Sequence, residues 1–250
     1  MLAPVLRDNG HGIHVTRARP PPVSPHAQRP QVGAWVTDFY DRVDREAAPH
    51  GVRKVEVRGD CCICVADDDP GAAAGGAGPV TRALAFAADL HADLAAAAAA
   101  PGGRRAIAAR VGVASGPVAL LEDEAAEGRG AGGQGGDAAG AGERGGEWCF
   151  RSVQGDTVNV AARMEALGCP GAAVVHKSAA DRWAAEGGRA GPRTVCVECK
   201  GRGVQRAAVY DLGRRAWRGE AEAAAELPVA SLRSISDFRL PDGLRQALFS

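Results

Sequence analysis

The spacing of apolar positions divides the chain into short alternating elements. Over 34–48, Trp35, Phe39, Val43 and Ala47 recur at helical intervals between acids and arginines, which predicts an amphipathic helix. Val52, Val55 and Val57, then Ile63 and Val65, form two β-rich runs, and the Gly59-Asp60 pair between them suits a tight two-residue hairpin turn. Glu56 stands between two valines of the first run and therefore faces the opposite side. A second helix is expected over 80–100, ended by Pro101-Gly102. Residues 106–120 read as a strand running into a Ser-Gly-Pro turn.

A short strand is expected over 148–153. In "GDTVNVAARMEALG", Asp156 or Thr157 can cap a helix that Gly168 ends. A strand over 172–175, a helix from 177 to about 186, and strands over 193–199 and 206–212 follow. Two hairpins break the parallel rhythm of alternating strands and helices. The expected fold is α+β, with a mainly antiparallel sheet and helices on one face.

Three segments fall outside this pattern. Residues 1–30 are polar and end in "RPPPVSPHAQRP", which favours extended backbone, and read as a disordered tail. Residues 122–147 are low in complexity and bury little, the signature of a flexible insertion in a domain spanning 34–212. Residues 213–250 read as a C-terminal tail.

Composition narrows the classes of function. With 250 residues, zero formal net charge and 46% hydrophobic residues, the chain has material for one core, and its dispersed arginines favour neither a nucleic-acid partner nor a polybasic membrane surface. Charges interrupt the first twenty residues, and the most apolar window, 83–100, carries Asp89, His91 and Asp93; neither a signal segment nor a membrane span is expected. Of seven cysteines, Cys196 and Cys199 form a single C-x-x-C whose members point to opposite faces of a strand. Reduced thiols of a cytoplasmic protein are expected rather than a zinc site. No Ser/His/Asp arrangement stands out among His11, His14, His26, His50, His91 and His176.

The candidate chemistry lies elsewhere. Asp60 at a hairpin tip can reach a cation, Asn159 and Arg163 are four apart on one helix face, and Lys200 lies in the glycine-flanked basic turn "CKGRG", whose backbone can approach a phosphate. Taken in order, "VRKVEVRGDCCICV", "RVGVASGPV", "GDTVNVAARMEALGCPG" and "VECKGRGVQRAAVYDL" resemble the signature segments of class III nucleotide cyclase catalytic domains.

The resemblance implies a ferredoxin-like βαββαβ core and a dimer with its sites at the interface, one subunit giving metal carboxylates and the other the asparagine and arginine. There the ribose 3′-hydroxyl of a nucleoside triphosphate attacks its own α-phosphorus, with two Mg²⁺ or Mn²⁺ ions. By the same resemblance Asp60 is a metal ligand, Asn159 positions the ribose, Arg163 stabilises charge on the α-phosphate and Lys200 holds the triphosphate. Glu56 and Ser152 match the base-reading positions. Glutamate at 56 favours GTP over ATP, since guanine offers adjacent N1–H and N2 amine donors that a carboxylate accepts together.

One departure stands out. Cyclases begin with a strand carrying a second metal aspartate, and that strand is expected to be missing here, Asp8 in "RDNGHGIHV" being a poor match. The chain then reads as incomplete, as a catalytically impaired cyclase-like regulatory module, or as a subunit completing the site of a better-equipped partner; homodimer and heterodimer both stay open.

Overall fold

The structure, a computed structural model, describes residues 5–19, 29–68, 76–100, 107–122, 150–187 and 192–227, with side chains described from Trp35 onward except at 121–122 and 150–151. The expected insertion falls almost wholly outside the described residues.

The first six elements are β1 (Val5–Arg19), α1 (Arg29–Ala47), β2 (Arg53–Arg58), β3 (Cys61–Ala66), α2 (Pro79–Ala99) and β4 (Ala108–Glu122). They stand in the sheet order β2-β3-β1-β4, a ferredoxin-like βαββαβ core. The sheet continues from β4 through β6 (Ala172–His176) and β8 (Gly203–Asp211) to β7 (Val195–Cys199). On its margins β5 (Phe150–Gln154) pairs with β4, and β9 (Ala216–Trp217) with β8. Among the described residues, only the pairing of β4 with β6 is parallel.

Several expectations need correction. The first strand is present: β1 lies in the middle of the sheet, Val15 pairing with Ile63 of β3 and Gly112 of β4, where the sequence suggested a tail and an absent strand. Its polar sequence hides it, because what fixes it is a backbone ladder on both sides rather than apolar alternation. Beyond Leu212 the chain is not a tail throughout: β9 and the short helix α5 (Glu220–Glu226) pack on the sheet, with Ala223 and Leu227 buried. And Ser115-Gly116-Pro117 makes no turn, since β4 runs straight through it.

Helices cover both faces of the sheet, not one. Cys62, Cys64 and Ala66 of β3 pack with Phe39, Val43, Phe86 and Leu90 of α1 and α2, while Ile63 and Val65 pack with Val158 and Ala161 of α3 (Asp156–Leu167). On the α2 side lies α4 (Lys177–Ala185), whose Ala179 and Ala180 meet Val113 and Val175. The continuous apolar run of β3 is what a strand buried on both faces requires.

Candidate active site

The β2–β3 hairpin closes through Gly59 and Asp60, with Gly59 at φ +63°, a left-handed conformation that glycine adopts without cost. Asp60 is partly buried at this tip. The tip is tied to α1: the Tyr40 hydroxyl donates to the Gly59 carbonyl, and the Lys54 ammonium stands 5.3 Å from the centre of the Tyr40 ring. Burial, with help from Cys62, Cys61 and Asp60, pushes the Tyr40 phenol up to about 12, and it remains a donor at any physiological pH.

Glu56, four residues before the tip, is drawn to β5. Its Oε2 accepts the Val153 N–H at 3.0 Å and the Ser152 hydroxyl at 3.4 Å, while its Oε1 accepts from Nε of Arg58. Burial alone would raise this carboxyl, but the donors from Arg58, Val153 and Ser152 outweigh it and hold Glu56 below the usual carboxylate range. The two positions matched to base reading, far apart in sequence, thus touch.

The next residues start α3. Thr157 Oγ1 donates to the Pro117 carbonyl at 2.9 Å and pins the first turn to β4, and Gly155, rather than Asp156 or Thr157, occupies the N-cap. Asn159 and Arg163 are both exposed, on one face of α3, opposite buried Val158, Ala161 and Met164. Burial pushes the Cys199 thiol of β7 up and the charge of Arg163 draws it back, so the guanidinium lies toward the strand that leads into Lys200.

Lys200 is exposed in the β7–β8 turn, and Gly201 at φ +78° lets the chain reverse there. Arg202 of this turn forms a two-pronged pair with Asp156 at the start of α3, holding Asp156 below its ordinary value. Behind it, Gln205 Nε2 donates to the Arg202 and Val204 carbonyls at 3.1 and 3.0 Å, and Gln205 Oε1 lies 3.3 Å from His176 Nε2. His176 Nδ1 accepts the Ser178 N–H at 3.2 Å, which caps α4 and leaves the proton on Nε2 for Gln205. Burial lowers the His176 imidazole, and it is held neutral.

The fold therefore gathers Glu56 with Ser152, sets Asn159 beside Arg163, and ties the Lys200 turn to the same helix. Sequence reasoning missed Arg58, although strand periodicity puts it on the face of Glu56, and missed the Asp156–Arg202 clamp, which no local pattern signals.

The metal assignment fares differently. Arg17 of β1 pairs with Cys61, which puts Ala18 and the basic residues flanking it opposite Asp60. The one carboxylate of β1, Asp8, falls in the irregular step between His11 and Arg7, whose β4 partners Gly116 and Val118 lie seven and nine positions from Ala109, the partner of Ala18, or roughly 23–30 Å away at about 3.3 Å per residue. Asp8 and Asp60 of one chain cannot share an ion. Among the described residues no three His, Cys, Asp or Glu side chains group as a metal site, and their donor set does not fit a two-ion centre.

No protein-family model and no curated protein sequence matches the chain. Solved structures do. The guanylate cyclase domain of RhGC from Catenaria anguillulae, in complex with GTP, is 22% identical with a TM-score of 0.54, over 80% of this chain and 94% of that one. The adenylyl cyclase CyaB from P. aeruginosa is 14% identical with a TM-score of 0.56, over 84% and 98%. The guanylyl cyclase Cya2 is 17% identical, also at 0.56, over 88% and 97%. The chain has the fold of guanylate and adenylate cyclase catalytic domains.

Proposed function

We propose that this chain is a nucleotide cyclase subunit that takes GTP and forms 3′,5′-cyclic GMP and pyrophosphate at the seam of a dimer. The observation that carries the proposal is the contact of Glu56 with Ser152 and the Val153 N–H, immediately before the helix that carries Asn159 and Arg163. A carboxylate fixed there accepts the adjacent N1–H and N2 amine donors of guanine; adenine, with an acceptor at N1, meets an acceptor instead. Asn159 orients the ribose and Lys200 holds the terminal phosphates. In the reaction a bond forms between the 3′-oxygen and the α-phosphorus while the bond from that phosphorus to the α–β bridging oxygen breaks. The 3′-hydroxyl proton passes to water, and Arg163 stabilises the charge gathering on the α-phosphate.

Cyclases of this fold use Mg²⁺ or Mn²⁺; in this chain Arg17, not a carboxylate, is the β1 residue paired with Cys61 at the start of β3. That arrangement favours a second reading within the first: a heterodimer in which a partner chain brings the metal carboxylates and this chain the base-reading, ribose and phosphate groups. On this reading a homodimer is catalytically impaired.

The test measures cyclic GMP and cyclic AMP formed by the purified chain with Mn²⁺, alone and mixed with a cyclase chain that carries both aspartates but lacks the arginine matched here by Arg163. Product from GTP in the mixture, abolished by Arg163→Ala in this chain, is the expected result. No gain on mixing removes the complementing reading, and better turnover of ATP removes the guanine preference.

A further inference from the structure

We infer that Arg58 is a third base-reading residue, supplying the donor that recognises the exocyclic oxygen of guanine. This rests on the guanine reading above and deepens it, since it names the group that meets O6.

Across its Watson–Crick edge guanine presents two donors and then an acceptor: the N2 amine, N1–H and O6. Its complement is two acceptors and then a donor. Glu56 gives the acceptors: Oε1 keeps an open lone pair beside its bond from Arg58, and Oε2, which holds the Val153 N–H at 3.0 Å, keeps one touched only by the long Ser152 contact at 3.4 Å. A serine hydroxyl at 152, the other position matched to base reading, could donate to O6 or accept from adenine N6, but in the structure it is turned to Glu56 Oε2 at 3.4 Å, alongside the Val153 N–H at 3.0 Å. Ser152 thereby becomes a positioning residue for the carboxylate, and the donor must come from elsewhere.

Arg58 is two residues beyond Glu56 on β2, on the same face of the strand, and its Nε donates to Oε1, the carboxylate oxygen not engaged by β5. A guanidinium carries five N–H donors in a rigid plane, and the bond to Glu56 uses one. The Arg58 side chain is 61% exposed against 13% for Glu56, which leaves its outer N–H groups open to a ligand at the carboxylate's rim. An ion pair this exposed adds little to the hairpin, which its backbone ladder already closes. Glu56 and Arg58 together present acceptor, acceptor, donor in one run. Adenine offers an acceptor at N1 and a donor at N6, and against that run both are mismatched.

Equilibrium binding of GTP, inosine triphosphate and ATP to the full chain with Mn²⁺ tests this, comparing wild type with Arg58→Ala and Arg58→Lys. GTP and inosine triphosphate both keep O6, and Arg58→Ala weakens both by about tenfold, the usual scale for one charged hydrogen bond to a base, while ATP moves less than twofold. Arg58→Lys, which keeps a donor, falls between. Equal weakening of all three nucleotides would reduce Arg58 to a general attraction for triphosphate and overturn the inference. So would unchanged or tighter GTP binding in Arg58→Ala, the latter marking Arg58 as a competitor for Glu56. If wild type binds GTP no better than ATP, the guanine reading itself falls and Arg58 with it. A GTP preference that survives Arg58→Ala removes Arg58 alone.

Discussion

Gly112 is where the fold and the candidate site depend on the same few cubic ångströms. It lies on β4 beneath α3, and a Cβ added there would stand 2.2 Å from the Ala161 carbonyl oxygen, 2.2 Å from the Glu165 nitrogen and 2.8 Å from the Glu165 Cα. All three are backbone atoms of a helix, so no rotamer change relieves them. To reach ordinary contact at 3.4 Å, α3 must withdraw by about 1.2 Å. A gap of that size forfeits a quarter to a half or more of the dispersion energy at each contact it opens. The contacts at stake belong to Val158, Ala161 and Met164, all buried against the sheet. Gly112→Ala is therefore expected at or above the upper end of overpacking costs, about 3 kcal/mol, out of a total stability of some 5–15 kcal/mol. Urea denaturation followed by tryptophan fluorescence measures it. Because Asn159 and Arg163 ride on α3, the same change should lower the proposed cyclisation by about a hundredfold where the protein still folds, the penalty of roughly 1 Å of misplacement. A variant within about 0.5 kcal/mol of wild type would refute the packing argument.

Two further outcomes concern the clamp and the histidine behind the Lys200 turn. Arg202→Ala removes a pair whose carboxylate is exposed, so unfolding free energy should change by less than about 0.5 kcal/mol while, on the proposed function, kcat with GTP in the mixed-chain assay falls about tenfold; Asp156→Ala added to it should cost little more, and additive losses would deny the coupling. The folded His176 imidazole is lowered by burial from its ordinary 6.5, so the folded state binds that proton less readily than the unfolded chain. Its contribution is complete above about pH 6.5 and is lost as the pH falls toward the folded value, with a slope of at most about 1.4 kcal/mol per pH unit. Urea midpoints at pH 7.5 and 5.5 for wild type and His176→Gln should converge on acidification; parallel behaviour would show that Nδ1 does not depend on staying an acceptor for Ser178.

The elements easiest to read from sequence were those with strong local signals. The Gly59-Asp60 hairpin, the helices over α1 to α4 and the paired strands β7 and β8 follow from apolar period and turn chemistry, and the structure contains them within a few residues. Central β1 was illegible because Val5, Leu6, Ile13 and Val15 are its only large apolar residues among fifteen, too few to mark a strand whose stability comes from two backbone ladders. The covering of both faces was written in Cys61-Cys62-Ile63-Cys64-Val65-Ala66, an uninterrupted apolar run, yet the element order drew attention away from it. In the candidate site, Asn159 and Arg163 could be paired by helical spacing alone. That Glu56 touches Ser152, and Arg202 touches Asp156, depends on tertiary contacts between residues many positions apart, which no window of sequence contains.

The place of β1 also governs the order in which the molecule can assemble. It leaves the ribosome before either of its neighbours in the sheet, so Val15 must wait for Ile63 and then for Gly112 before both its edges are closed. Until then β3 and β1 each offer an open row of amides and carbonyls, the usual template for association with another chain. Pairings so distant in sequence slow folding and lengthen that exposure. The nascent protein is thus at greatest hazard of aggregation before β4 has been made, and a chaperone that shields strand edges should raise its yield more than one that merely suppresses hydrophobic contact.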